Sequence, residues 1–110
     1  MKQKGLGEFE ELVLLAVCIL AGKAYGISIK EEIEQHTGRT ILLGAVHITL
    51  YRLQDKGLLQ SELAGQTAKR GGRKKRLFEI TDAGMKQLRK AQEVRQSMWQ
   101  LIPQLKINLS

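Results

Sequence analysis

The feature that most constrains this chain is a change of periodicity at Gly57. Before it, Val46, Leu50 and Leu53 recur at intervals of four and three residues, which places them on one face of a helix. Gly57 can adopt the left-handed conformation that ends a helix. Residues 59–64 then alternate with a period of two, which is typical of a strand. An amphipathic helix that passes at once into a strand favours a mixed architecture with a small sheet.

A second alternating segment, residues 77–80, lies beyond a loop that contains Gly71 and Gly72. Two short strands joined in this way predict a β-hairpin. The connection carries six cations in eight positions, namely Lys69, Arg70, Arg73, Lys74, Lys75 and Arg76. Taken alone, such a run is explained equally well by a solvated loop. The two glycines would let the backbone approach a partner closely.

Two helices are predicted upstream, over residues 8–21 and from the turn at residues 24–26 to Gly38. A brief strand is predicted over residues 39–43, before the helix of residues 44–57. The order helix, helix, short strand, helix and two-stranded wing is that of a winged helix-turn-helix. We therefore expect a mainly α fold with a small β-hairpin wing, of the α+β class.

The charge of the chain is unevenly distributed. The formal net charge is +7. Residues 1–38 contain four Lys/Arg and six Glu, a net charge of −2, whereas residues 39–110 contain fourteen Lys/Arg and five Asp/Glu, a net charge of +9. A basic excess confined to the wing side of the chain predicts a polyanionic partner, and in this fold that partner is double-stranded DNA.

The helix of residues 44–57 is the predicted DNA-reading element. The side opposite its apolar face carries Ala45, His47, Ile48, Thr49 and Arg52. Ala45 and Ile48 would pack on thymine methyl groups, and Arg52 would reach a guanine edge or a phosphate. With Arg70, Arg73, Lys74, Lys75 and Arg76 of the wing (residues 65–76), these are the predicted DNA-binding residues. By itself, the pattern also fits an ordinary amphipathic helix with a solvated face.

A last helix is predicted to begin at Thr81, a good N-cap, and to be broken near Pro103. It carries an apolar stripe of Leu88, Ala91, Val94, Met98 and Leu101, with Trp99 beside it. The stripe would pack either on the first helix of the same chain or in a homodimer interface, which we favour. Trp99 would be interface core or part of a site for a small aromatic or apolar effector. The expected division is a DNA-binding domain over 1–81 and a dimerisation helix and tail over 82–110.

Residues 12–84 resemble the PadR family of bacterial transcriptional regulators. The similar segments are Ala24-Tyr25-Gly26, Gly44-Ala-Val with Thr49-Leu50 and Arg52-Leu53 through Lys56-Gly57-Leu58, Arg70-Gly71-Gly72-Arg73 with Lys75-Arg76, and Ile80-Thr81-Asp82-Ala83-Gly84. The resemblance implies a homodimeric winged-helix repressor with a C-terminal dimerisation helix, of the short-tailed type. One departure is His47, where the family commonly has tyrosine.

Other classes of protein fit the sequence less well. No nucleophile and base pair, CxxC, HExxH or P-loop motif is present, so we expect neither an enzyme nor a metal site nor a cofactor. The single cysteine, Cys18, fits a reducing compartment, and the apolar run of residues 12–21 is too short to span a bilayer. We expect a cytoplasmic protein without a secretory signal. The alternative function is a winged-helix module that binds RNA or another protein and has no specific operator.

Overall fold

The computed structural model describes residues 5–64 and 75–103. These residues form four helices and one antiparallel pair of strands, in the order α1 (Glu8–Ile19), α2 (Gly26–Thr37), α3 (Leu43–Asp55), β1 (Leu59–Ala64), β2 (Lys75–Ile80) and α4 (Asp82–Gln100). The arrangement is a winged helix, which confirms the predicted fold class.

Helix α1 is the centre of the packing. Its apolar run places Val13, Leu14 and Val17 in the core, and the helix contacts α2, α3, β2 and α4. Two apolar residues of the same helix, Leu15 and Ile19, remain 43% and 57% exposed. They lie on a side of α1 that α2, α3 and α4 leave partly open.

The short strand predicted over residues 39–43 is wrong. Residues 39–42 have no regular secondary structure, and the N–H of Ile41 donates instead to the carboxylate of Glu34 at 2.9 Å. The backbone partner of the wing is the turn before α2, where the N–H of Phe78 donates to the carbonyl of Ala24 at 2.8 Å. A strand needs a neighbour for its backbone groups, and the fold places Ala24 rather than Ile41 beside β2.

The hairpin is anchored in the core by its base. Leu59 pairs with Ile80 and Ser61 with Phe78 in the antiparallel register. Leu59 and Phe78 are buried, whereas Leu63 is 53% exposed. The distal part of β1 therefore leaves the core and extends as a wing.

The connections on either side of the hairpin agree with the predictions made for Gly57 and Thr81. Gly57 has a φ of 78°, as expected for the left-handed end of a helix. Thr81 caps α4, because its hydroxyl accepts the N–H of Gly84 at 3.0 Å. Helix α4 packs on α1 and β2 through Gly84 and Leu88, and it ends at Gln100, ahead of Pro103.

Candidate nucleic-acid interface

Helix α3 has one face in the core and one face in solvent. Val46, Leu50 and Leu53 are no more than 1% exposed, which confirms the predicted inner face. On the outer side, Ala45, His47, Ile48 and Arg52 are all exposed.

Thr49 is a correction to the expected outer face. It is only 5% exposed. The position is three residues after Val46 and four before Leu53, so it shares the face of these two core residues. Its side chain therefore points toward the core and does not belong to the surface that a partner of α3 would touch.

The ring of His47 lies against the start of α2. A Cβ atom built on Gly26 would lie 2.4 Å from the Nε2 atom of His47, so the imidazole ring fills the space that a side chain there would occupy. A side chain at position 26 would have to displace this ring, so Gly26 lets His47 of α3 lie against the start of α2.

Tyr51 is a surface residue of α3 that sequence analysis missed. It is 43% exposed and meets the ring of Phe78 edge-on, with the ring centroids 5.9 Å apart and the planes at 73°. Its spacing of four from His47 is the signal that would have placed it on the outer face. Tyr51 joins this face of α3 to the base of the wing.

Two cations of the wing lie within the described residues. The Nζ atom of Lys75 lies 4.1 Å from the ring centroid of Tyr25, a cation–π contact with the turn before α2. Arg76 is half-buried, and its Nη1 atom donates to the hydroxyl of Ser61 at 3.0 Å. The other predicted wing contacts, Arg70, Arg73 and Lys74, lie outside the described residues.

The cation of Lys56 anchors the end of α3. Its Nζ atom lies 2.9 Å from the carboxylate of Glu10, which also accepts the N–H of Gly7 at 2.9 Å. Burial by itself would raise the pKa of Glu10, but the bond from Gly7 and the charges of Lys56 and Arg52 together hold it below the ordinary value. Glu10 is therefore a buried carboxylate that ties α1 to α3.

Helix α4 exposes most of its predicted stripe. Val94, Met98 and Leu101 are 51%, 64% and 81% exposed, while Ala91 is half-buried. Leu88 is a correction, because at 8% exposure it belongs to the core of its own chain and has little surface left for another subunit. It is buried because α4 still lies against α1 and β2 at that position.

Trp99 and Met98 lie on different sides of the contact between α4 and α1. That contact is marked by an ion pair between Arg95 and Glu11. A groove of about 470 Å³, with Leu15 and Leu88 in its wall, runs beside Trp99, whereas Val94 and Met98 line a second groove of about 390 Å³. The structure thus divides the expected stripe between two surfaces.

Among the described residues, no three His, Cys, Asp or Glu side chains are grouped closely enough to hold a metal ion. No helix in residues 5–64 and 75–103 combines the length and the apolar character needed to cross a membrane.

The model of the PadR-like family of transcriptional regulators matches residues 14–90 of this chain, which run from α1 into α4. The chain belongs to this family. The match takes in α3, both strands of the wing and the first half of α4, whereas the exposed apolar residues from Val94 to Leu101 lie beyond it. No curated protein sequence matches the chain.

Solved structures with the same fold include several regulators. RosR of H. salinarum superposes with a TM-score of 0.71 at 20% identity, covering 98% of this chain and 90% of that one. A PadR-like transcriptional regulator from Bacillus cereus gives 0.60 at 25% identity, covering 89% of each chain. Bacillus subtilis PadR, solved in complex with operator DNA, gives 0.60 at 18% identity, covering 87% of this chain and 49% of that one. At 18% and 20% identity, the likeness shows the fold alone.

Proposed function

We propose that this protein is a sequence-specific DNA-binding transcriptional repressor that binds an inverted-repeat operator as a homodimer. The observation that carries the proposal is the continuity of the outer face of α3 with the base of the wing, joined by the contact between Tyr51 and Phe78. Residues 1–81 would bind DNA, and residues 82–110 would form the dimerisation helix and tail.

The outer face of α3 would enter the major groove. Ala45 and Ile48 present apolar surface to thymine methyl groups, and Ile48 is 62% exposed. Arg52 would reach a guanine edge or a phosphate, and His47 lies on the same face with its ring against Gly26. Thr49 is left out of this set because it is buried.

The wing would follow the sugar-phosphate backbone or the adjacent minor groove. Its proposed contacts are Arg70, Arg73, Lys74, Lys75 and Arg76. Backbone contacts of this kind supply affinity without sequence preference and make binding fall with salt. Bacillus subtilis PadR, which has the same fold, was solved with operator DNA, and this supports a DNA partner for the present chain.

Dimerisation is supported by the apolar surface that α4 leaves in solvent. Val94, Met98, Trp99 and Leu101 are all more than half exposed. With Ala91 they form the proposed interface, from which Leu88 is now excluded. A two-fold pair would place its α3 helices about 34 Å apart, or a small multiple of that, so the operator would be an inverted repeat.

The groove beside Trp99 supports a second, regulatory part of the proposal. A small aromatic or apolar effector bound there would contact α4 and, through Leu15, α1. An effector that prefers a dimer with misaligned α3 helices would release the operator. Its binding would be reported by the fluorescence of Trp99, the single tryptophan of the chain.

The function is tested by operator selection from a random duplex library, followed by competition against excess non-specific DNA and against structured RNA. We expect one inverted-repeat sequence to survive the DNA competitor and to be footprinted over both half-sites. Equal displacement by RNA would favour an RNA-binding module, and no retained duplex would favour a protein-interaction module.

The wing is tested in the same assay by Arg73→Ala combined with Lys74→Ala. The double variant should bind all DNA sequences more weakly by the same factor. It should also flatten the slope of log affinity against log salt by about two units, because each lost phosphate contact reduces that slope by about 0.9. An unchanged slope would remove both residues from the backbone.

A further inference from the structure

A hydrogen-bonded chain of three side chains, Arg76–Ser61–Gln54, connects the wing to α3. Arg76 on β2 donates from Nη1 to the hydroxyl of Ser61 on β1 at 3.0 Å, and this hydroxyl donates in turn to the Oε1 atom of Gln54 on α3. All three residues are half-buried. The chain therefore spans both strands and the helix at the junction where the wing leaves the core.

The hydroxyl of Ser61 has a role in this chain that no apolar side chain can take. The hydroxyl donates its single hydrogen bond to Gln54, and one of its lone pairs accepts a hydrogen bond from Arg76. The guanidinium has only donors, so its orientation depends on an acceptor being present at this place. In the strand register, Arg76 lies opposite Leu63, and it reaches Ser61 diagonally across the ladder.

A second contact holds the hairpin to α3 independently of this chain. Phe78, the cross-strand partner of Ser61, meets Tyr51 edge-on. Removal of the hydroxyl would leave this aromatic contact and the buried base of the hairpin in place. The polar chain thus sets the direction of Arg76, while the aromatic contact and the core keep the wing attached.

We propose that Ser61 and Gln54 are positioning residues of the DNA interface, which hold the guanidinium of Arg76 and the base of the wing in register with α3. The inference rests on the proposed function, in which Arg76 contacts the DNA backbone. Neither Ser61 nor Gln54 carries a charge, so any effect of their substitution on salt dependence must act through a neighbouring cation, and Arg76 is the one that Ser61 contacts. The combination with Arg76→Gln below separates Arg76 from the other cations of the wing.

The test is the salt dependence of binding to a random-sequence duplex by the full chain. Ser61→Ala should lower the affinity about threefold to tenfold, the usual range for one lost hydrogen bond, because Arg76 would no longer be oriented toward its phosphate. It should also flatten the log–log slope by up to about 0.9, the contribution of one phosphate. Ser61→Thr retains the hydroxyl and should behave as the wild type. Arg76→Gln should flatten the slope by about 0.9, and adding Ser61→Ala to it should flatten the slope no further.

A matched control lies on the other face of the same hairpin. Gln60 donates to Glu79 at 2.9 Å across the strands, on an exposed surface. Gln60→Ala removes a comparable cross-strand hydrogen bond without touching α3, so its affinity and slope should stay at the wild-type values. Thermal melting identifies any variant that fails to fold. If Ser61→Ala fails to fold, Gln54→Ala replaces it in the test, because it removes the acceptor of the Ser61 hydroxyl without altering the hairpin.

The outcomes separate this inference from the function on which it rests. A wild-type protein without salt-dependent binding would overturn the proposed function itself. A steep wild-type slope that folded Ser61→Ala leaves unchanged would overturn only the positioning role. Additive slope changes in the double variant, or an unchanged slope in Arg76→Gln, would overturn it as well.

Discussion

Helices α3 and α4 are both amphipathic in sequence, but they leave different surfaces in solvent. Helix α3 buries Val46, Leu50 and Leu53 and exposes a mixed face that includes His47 and Arg52. Helix α4 buries only Gly84 and Leu88, and most of its apolar side chains stay exposed.

The difference indicates what kind of partner each helix needs. Exposing a mixed face with polar groups costs little free energy, because those groups form hydrogen bonds with water. The same groups can form hydrogen bonds with base edges in the proposed complex with DNA. Met98 and Trp99 are each 64% exposed, and covering such large apolar side chains with another apolar surface lowers the free energy. The apolar face of α3 is thus buried within its own chain, whereas the apolar surface of the second half of α4 would be buried only in the proposed dimer.

The largest effect is expected from breaking the surface of α4. Val94→Glu combined with Met98→Glu should give a monomer in sedimentation and lower operator affinity by about 100-fold or more, because the two half-sites are then no longer bound in one complex. Both positions are exposed and glutamate is a good helix former, so the monomer should stay folded.

The charge-matched control for this variant is Ser97→Glu with Gln100→Glu, at exposed polar positions of the same helix. It should remain a dimer with wild-type affinity. A wild-type protein that is monomeric at micromolar concentration would contradict the proposed interface without reference to DNA.

A smaller effect is expected from Arg52 on the face of α3. If Arg52 reads a guanine, Arg52→Ala should cost about 1–3 kcal/mol and relax the preference at one base pair in each half-site. If it binds phosphate, the loss should be uniform over a library of operator variants. Arg39→Gln removes a cation outside α3 that pairs with Glu8, and it should leave the preferences unchanged. Wild-type affinity and preferences in Arg52→Ala would remove this residue from the interface.

The smallest effect concerns the tie between α1 and the end of α3. Because the fold holds the pKa of Glu10 below its unfolded value of about 4.5, this carboxylate stabilises the protein above that pH and ceases to do so as the pH falls through the folded pKa. Glu10→Gln should therefore lower the free energy of unfolding by about 1–2 kcal/mol at neutral pH. The difference from the wild type should shrink progressively in more acidic solution.

Chemical denaturation at several pH values measures this difference. The control is Glu8→Gln, which removes the exposed pair with Arg39 and should change the free energy of unfolding by at most about 0.5 kcal/mol. A Glu10→Gln protein as stable as the wild type at every pH would show that Lys56 does not anchor α3 through this carboxylate.

Much of the fold was predictable because its signals are local. The spacing of Val46, Leu50 and Leu53 defined the inner face of α3, Gly57 its end and Thr81 the start of α4. These features depend on backbone periodicity and on capping chemistry within a few residues, which the sequence contains in full.

The surfaces were less predictable, because they depend on which neighbour the fold brings to each residue. Thr49, a polar residue, was expected on the outer face of α3, but it is buried. The apolar stripe of α4 was expected to form one surface, but the contact with α1 divides it between two grooves. The spacing of Tyr51 from His47 predicts the outer face, but its contact with Phe78, which lies far along the chain, depends on the packing of α3 against the hairpin.

The sequence by itself determined the helices, the hairpin, the basic excess of residues 39–110 and the resemblance to the PadR family, since each of these is carried by residue type and short-range spacing. Only the tertiary structure decided that Gly26 receives the ring of His47, that Lys56 is joined to a carboxylate 46 residues away, and that Ser61 stands between Arg76 and Gln54. The physical reason is that a hydrogen bond or a packed ring acts over a few ångströms. The residues that meet at such a distance are chosen by the packing of whole helices and strands.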